Sequence, residues 1–393
     1  FLSRNSAVFD AVIGGSFFDP WPGADRLKAD LARRLALEDD YESRLDTTRR
    51  WCKEWHFRIG VHHLRGLTDG QQAGAQYAEL AEVVIAGITP EVVFHFARKH
   101  GPAPGRGAAV LAMGSLGAGQ IHAQSDLDII VIYDPGTAEM SEGKRPLATR
   151  PYYARLTQAF VTALSAPMSQ GRLYEVDMRL RPSGTQGPVA VSLAGFTLYQ
   201  QNEAWVWEHL ALTRARVVAG EDSLAAEIED FRAGLLEQPR ERGKVLQEVA
   251  QMRARLAAAK TPAGVWDAKN GPGRMMDVEL ISQAGALTSG SGARDVAAGL
   301  AGAVAAGWLN DADAEYLGAS YRLFWSVQCA ARLLSGKAIE ADAIGEGGAQ
   351  FLCRTTGYAR LDALEQELQA RYSGCAAIIA DAVQGEGTDE GQQ

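Results

Sequence analysis

From Leu173 to Arg181 apolar and polar residues alternate. Val176, Met178 and Leu180 fall on one side, and Glu175, Asp177, Arg179 and Arg181 on the other. A period of two predicts a strand with one buried and one polar face. Two apolar runs upstream, Ala108–Met113 and Leu127–Tyr133, are too short for helices and are bounded by turn residues, so they too predict strands. A helix is predicted between them and Leu173, over about Tyr152–Leu164. On either side of this group the apolar period becomes helical. Asp25 to about Arg58 is one such stretch, and Thr68 is positioned to cap a helix carrying Tyr77, Leu80, Val83 and Val84. Thr89-Pro90, followed by Val92, Val93 and Phe96 and then Gly101, predicts a separate short helix with Pro at its first position and Gly past its end. Beyond Leu193 the pattern is again helical, interrupted by the glycine-rich Asn270–Gly273. Helices are predicted over Asp222–Glu237, Val245–Ala259, Asp277–Leu287, Ala293–Trp308, Ala312–Leu334 and Leu361–Val383.

The expected layout is α+β: a helical region over 1–105, a small sheet-containing catalytic domain over 106–220, a helical bundle over 221–384, and a polar, glycine-rich, disordered tail over 385–393. A chain of 393 residues, 47% hydrophobic and 22% charged, fits a globular protein with more than one core. Its net charge of −9 argues against a protein that grips nucleic-acid phosphates. No uninterrupted apolar run suggests a membrane span, and Phe1–Arg4 does not open a signal peptide, so a cytoplasmic location is expected. The four scattered cysteines, Cys52, Cys329, Cys353 and Cys375, read as reduced thiols. His62-His63 are adjacent and do not share a helix face, which disfavours a zinc pair.

The chemistry-bearing residues gather in the middle. Gly114-Ser115 follows the first predicted strand, and glycine there lets the backbone approach a phosphate. Asp126 and Asp128 open the second strand, and positions i and i+2 project to one face. Two such carboxylates repel each other unless a cation sits between them, and magnesium suits oxygen ligands with positions left for substrate phosphates. Asp177 adds a third carboxylate if its strand lies beside the second, completing the ligand set of a two-ion phosphoryl-transfer site. An acidic, solvated turn is the plain alternative for Asp126-x-Asp128 alone; the strand order, the Gly-Ser turn and Asp177 favour a nucleotidyltransferase.

Gly114-Ser115, ten intervening residues, Asp126-x-Asp128 and a later Asp177 resemble the DNA polymerase β-like nucleotidyltransferase superfamily. Tyr174-Glu175-Val176-Asp177-Met178-Arg179-Leu180-Arg181-Pro182-Ser183-Gly184 is similar to a signature of the bacterial glutamine synthetase adenylyltransferases. So are Glu203–His209 with Thr213–Val218, and Trp266–Gly273 with Asp277-Val278-Glu279. The resemblance covers nearly the whole chain. It implies a polymerase β-like core, a small mixed sheet with helices, flanked by an N-terminal helical segment and a C-terminal bundle. The full-length enzymes of that family have two homologous halves, one adenylylating a tyrosine of glutamine synthetase and one removing the AMP by phosphorolysis. The Tyr174–Gly184 and Trp207–Arg216 segments look like the C-terminal, adenylylating half. Two positions depart from the family pattern: Ser115 stands where Lys is usual, and Gly117–Gln120 where a Gly-Gly-Arg-Glu-like run is usual.

The resemblance implies ATP as substrate, magnesium (two ions) as cofactor, glutamine synthetase as acceptor and a PII-type signal protein as regulator. Asp126, Asp128 and Asp177 are then the catalytic metal ligands, and Gly114 and Ser115 hold the β- and γ-phosphates. Arg179 and Arg181 either grip the triphosphate or pair with neighbouring acids. Lys269 either reaches phosphate or acceptor or is an ordinary surface lysine. His122 is a lesser candidate for touching substrate. Asp277 and Glu279 read first as helix-opening acids, and Trp205, Trp207 and Trp266 as core rather than an adenine platform. Competing functions are the adenylyl-removing half, a non-catalytic module binding ATP or PII-type proteins, and a nucleotidyltransferase acting on RNA or a small molecule.

Overall fold

The computed structural model describes residues 15–336, 339 and 344–384, so the tail at 385–393 lies outside the described residues. The fold is α+β, a small mixed sheet among many helices. The chain separates into two compact units. Of the described residues, the first takes those up to 68, 72–200 and 216–229; the second takes 69–71, 201–215 and those from 230 onward.

In the first unit, α1 (Ala24–Leu35) lays Leu27, Leu31 and Leu35 along one buried stripe. The helical stretch then breaks, because Asp40 caps α2 (Tyr41–Arg65) by accepting from the Ser43 amide at 3.0 Å. Next comes α3, Gly70–His100, a single 31-residue helix. A separate helix at Thr89-Pro90 is therefore wrong: Pro90 sits inside α3, and the Thr89 hydroxyl donates to the Ile85 carbonyl at 2.7 Å. The core on both sides holds the helix together across its proline, with Leu80, Val84, Ile85 and Ile88 before it and Val92 after it all at most 2% exposed. Each such side chain contributes about 1.5–3 kcal/mol by burial, against the ~3 kcal/mol that an interior proline costs. Among the described residues α3 is the one helix long and apolar enough to cross a membrane by length and composition, but these side chains pack into the protein core.

The sheet has five strands. β1 (Gly107–Ala112) pairs antiparallel with β2 (Leu127–Asp134) over six positions, from Gly107 opposite Asp134 to Ala112 opposite Ile129. After β2 come α4 (Thr149–Ser165), β3 (Val176–Asp177) and β4 (Ala190–Ser192). Both β3 and β4 lie parallel to β2 on the edge away from β1, β3 beside its first residues and β4 beside Val131–Tyr133. β5 (Arg216–Ala219) pairs antiparallel with the other edge of β1. The expectation of helix from Leu193 to the glycine-rich break is corrected by β5, a short strand whose partner, β1, is far away in sequence.

The predicted strand Leu173–Arg181 is also corrected. Only Val176 and Asp177 pair, and the chain turns at once, because the Arg179 amide donates to Asp177 Oδ1 at 2.8 Å. Such a side-chain turn competes with continued extension.

The second unit is helical: α5 (Val206–Thr213), α6 (Arg242–Ala259), α7 (Met275–Ser289), α8 (Val296–Ala305), α9 (Asp311–Leu334), α10 (Gly345–Thr356) and α11 (Leu361–Gln384). α7 and α8 approach closely because Gly285 and Gly299 lack side chains; a Cβ on Gly285 would lie 2.1 Å from the Gly299 carbonyl oxygen. The core centres on α9, where Phe324, Trp325, Val327, Ala330 and Ala331 are at most 1% exposed.

Candidate active site

The register of β2 and β3 decides what the acidic residues can do. Leu127 stands opposite Val176 and Asp128 opposite Asp177. Residues paired across neighbouring strands share a face, so the carboxylates of Asp128 and Asp177 lie side by side. The Leu127 amide donates to the Glu175 carbonyl at 2.9 Å, one more bond in this short pairing. Asp126 precedes β2 by one residue and is exposed; Asp128 is half-buried.

The chain leaving β1 bends back over this edge. Met113 donates its amide to the Asp128 carbonyl at 2.8 Å, and a single helical turn, Gly114–Gly117, follows. Gly114 has φ +53°, and a Cβ there would stand 2.5 Å from Asp128 Oδ2. Only glycine lets the backbone pass this close to the carboxylate. Ser115 is the next residue of the turn and is half-buried. Arg216 holds the far end of the turn: its Nε donates to the Gly117 carbonyl at 3.3 Å and its Nη1 to Glu82 at 2.9 Å. The sequence contains the Thr213–Val218 segment but offers no sign that this arginine would clamp the glycine turn.

Arg179 does not extend β3; it folds back onto Asp177, with Nε 2.7 Å from Oδ2 and a further contact through Nη2. This guanidinium holds the Asp177 carboxyl below the usual carboxylate range, and the charges of Asp177, Asp126 and Asp128 strengthen the binding of its own proton. The three carboxylates thus form a field that already attracts a cation. Arg181 is spent on its own loop, donating to the carbonyls of Met178 at 2.8 Å and of Thr185 and Gly187 at 3.3 Å. His122 shapes the loop before Asp126, accepting from the Gln124 amide at its Nδ1 at 3.3 Å.

The remaining candidates belong to the second unit. Lys269 lies in a loop organised by Asp267, which accepts from the amides of Lys269 and Asn270 at 3.2 Å. Asp277 is clasped by Arg253, and Glu279 pairs with Arg214 at 3.1 Å and accepts from Tyr321 at 3.1 Å, so both acids are structural struts. Trp266 is core, at 6% exposed, and Trp207 is half-buried, but Trp205 is 64% exposed and its placement in a core is overturned. It precedes α5, where its amide donates to Glu208 at 2.9 Å and its ring is left outside.

Among the described residues no three His, Cys, Asp or Glu groups form a ready-made metal cage. The donor set at the β2–β3 edge nevertheless suits magnesium: hard carboxylate oxygens on one face, an open side for phosphate or water, and a glycine cradle against Asp128. Arg179 stands where such an ion's charge would be felt.

Residues 1–231 match a family model described as glutamate-ammonia ligase adenylyltransferase, more than half of the chain. This chain belongs to that family. Residues 244–384 match a second model, described as GlnD PII-uridylyltransferase. Curated relatives named bifunctional glutamine synthetase adenylyltransferase/adenylyl-removing enzyme include that of Mesorhizobium japonicum, 37% identical over 94% of this chain and 38% of the relative. That of Xanthobacter autotrophicus is 39% identical over 87% of this chain and 35% of its own length. That of Brucella suis is 36% identical over 99% and 40%, respectively. The chain therefore spans about two fifths of the length of these relatives.

Proposed function

We propose that this chain is an adenylylating module: it moves AMP from ATP onto a tyrosine hydroxyl of glutamine synthetase and releases pyrophosphate. The observation that carries this reading is the register setting Asp128 beside Asp177, with Gly114 pressed against Asp128. Asp126, Asp128 and Asp177 would hold two magnesium ions, which neutralise triphosphate charge and favour the ionised acceptor. Gly114 and Ser115 bring backbone and hydroxyl to the β- and γ-phosphates. Arg179, freed from Asp177 when cations bind, becomes available to the triphosphate, a pairing that arginine geometry suits. The Gly114-Ser115 turn and the aspartates orient the α-phosphorus for in-line attack, and positioning is most of the catalysis in such transfers. The adenylylating assignment rests on the resemblance of Tyr174–Gly184 and Trp207–Arg216 to that half of the family's enzymes.

The relatives' name also includes adenylyl removal, which would use the same carboxylates with inorganic phosphate as nucleophile. Incubation with glutamine synthetase and α-labelled ATP separates the two: label incorporated into the acceptor supports transfer, and phosphate-dependent loss of AMP from the modified acceptor supports removal. A chain that binds ATP with magnesium but releases no pyrophosphate would instead be a regulatory module. The match of residues 244–384 favours a PII-type protein as regulator, and an enzyme acting on glutamine synthetase would work in the cytoplasm.

A further inference from the structure

β3 has two paired residues, too few to fix the register on which the acidic cluster depends. Its position must be set from outside the sheet. One face of α2 touches both segments that lead into the carboxylates. Arg49, 0% exposed, donates from Nε to the Gly171 carbonyl at 2.8 Å and from Nη2 to the carbonyls of Ala163 at 2.7 Å and Ala166 at 3.1 Å. It thereby joins the end of α4 to the turn that feeds β3. Flanking it, Asp46 accepts from the Ser169 hydroxyl at 2.5 Å, and Cys52 lies 3.5 Å from the hydroxyl of Tyr174, three residues before Asp177. Two turns further along the same face, His56 Nε2 meets the Ala123 carbonyl at 2.8 Å, three residues before Asp126. Burial holds the His56 imidazole below its ordinary pKa, so at neutral pH it is an uncharged ring that donates one Nε2 hydrogen.

We infer that this face of α2 sets the spacing between the carboxylates of β2 and β3, with Arg49 and His56 as positioning residues. A fully buried guanidinium whose hydrogen bonds go to carbonyls carries a desolvation cost that an aliphatic side chain would avoid. What it supplies in return is direction: a planar fork whose hydrogen bonds fix several carbonyls in mutual orientation. The inference rests on the carboxylate site proposed above.

The test is Mn2+ binding to the full chain, without ATP, followed by electron paramagnetic resonance alongside thermal melts and the magnesium dependence of transfer. His56→Ala should weaken Mn2+ binding about tenfold, with a parallel rise in the magnesium needed for half-maximal transfer. His56→Gln, whose amide can donate to the same carbonyl, should recover most of the loss. Arg49→Lys should weaken Mn2+ comparably; if it does not fold, the two His56 variants decide. If His56→Ala melts lower but binds Mn2+ like wild type, α2 is only a structural support and the inference is overturned. A wild-type chain that binds no Mn2+ overturns the carboxylate site itself, a distinct outcome.

Discussion

Asp177 and Asp277 each receive a fork of hydrogen bonds from an arginine, but in different surroundings. Arg253 reaches Asp277 with two bonds of 2.7 and 2.9 Å, the Gly273 amide adds a third at 2.8 Å, and the two side chains are 19% and 9% exposed. Arg179 reaches Asp177 from a side chain that is 76% exposed. The Arg253–Asp277 pair is largely shielded from solvent, so it acts as a strut between α6 and α7. The exposed arginine can leave at little cost, so Asp177 can exchange it for another cation. Chemistry alone does not separate the structural aspartate from the proposed metal ligand here; the solvent around the partner does.

The largest expected effect lies on the functional side. Asp128→Asn or Asp177→Asn should reduce AMP transfer about a thousandfold, the equivalent of several kcal/mol of lost charge stabilisation, with the melting curve nearly unchanged. Retention of near-wild-type rates in either variant would remove the carboxylate from the site. On the structural side, Asp277→Asn should cost about 2 kcal/mol of stability in denaturant titration, because the largely shielded Arg253 loses its charged partner. Its rate per folded molecule should stay close to wild type; a selective loss of rate would erase the contrast between the two aspartates.

Arg179→Ala sharpens the comparison with smaller effects. Removing the guanidinium should raise the Asp177 pKa toward the ordinary carboxylate value, readable by carbon-13 NMR titration. The sign follows from the depression: the contribution of this pair to stability is complete above the unfolded-state pKa and is lost as pH falls through the lower folded-state value. In Arg179→Ala that acid-side loss should disappear, and Mn2+ should bind somewhat more tightly without ATP. The smallest test concerns the thiols. Burial pushes Cys52 up to about 11, so iodoacetamide at pH 8 should spare it in the native chain while the partly exposed Cys353 reacts first, as mass spectrometry can follow.

Much of this architecture was legible from patterning. β1, β2, α4 and most helices of the second unit fall within a few residues of the runs that predicted them, because each buries a face whose period is written locally. The misreadings share a cause. Alternation from Leu173 to Arg181 promised a longer strand, but a bond between Arg179 and Asp177 ends it after two residues. Pro90 promised a helix start, but packing on both sides carries α3 through it. β5 was hidden in a helical stretch because its reason to be extended is β1, roughly a hundred residues upstream. α10 escaped notice because Gly345, Gly347 and Gly348 weaken the helical signal of its first turn.

The acidic residues, the glycine turn and their order along the chain are properties of the sequence, and they point to the kind of chemistry proposed for the chain. Whether Asp177 stands beside Asp128 was not written there. A strand's period tells which residues share its own face but says nothing about which strand lies next to it or in what register. Packing of β3 against β2 and the grip of α2 on the segments feeding both strands decided that. So did the solvent around Arg179, which only the folded chain reveals.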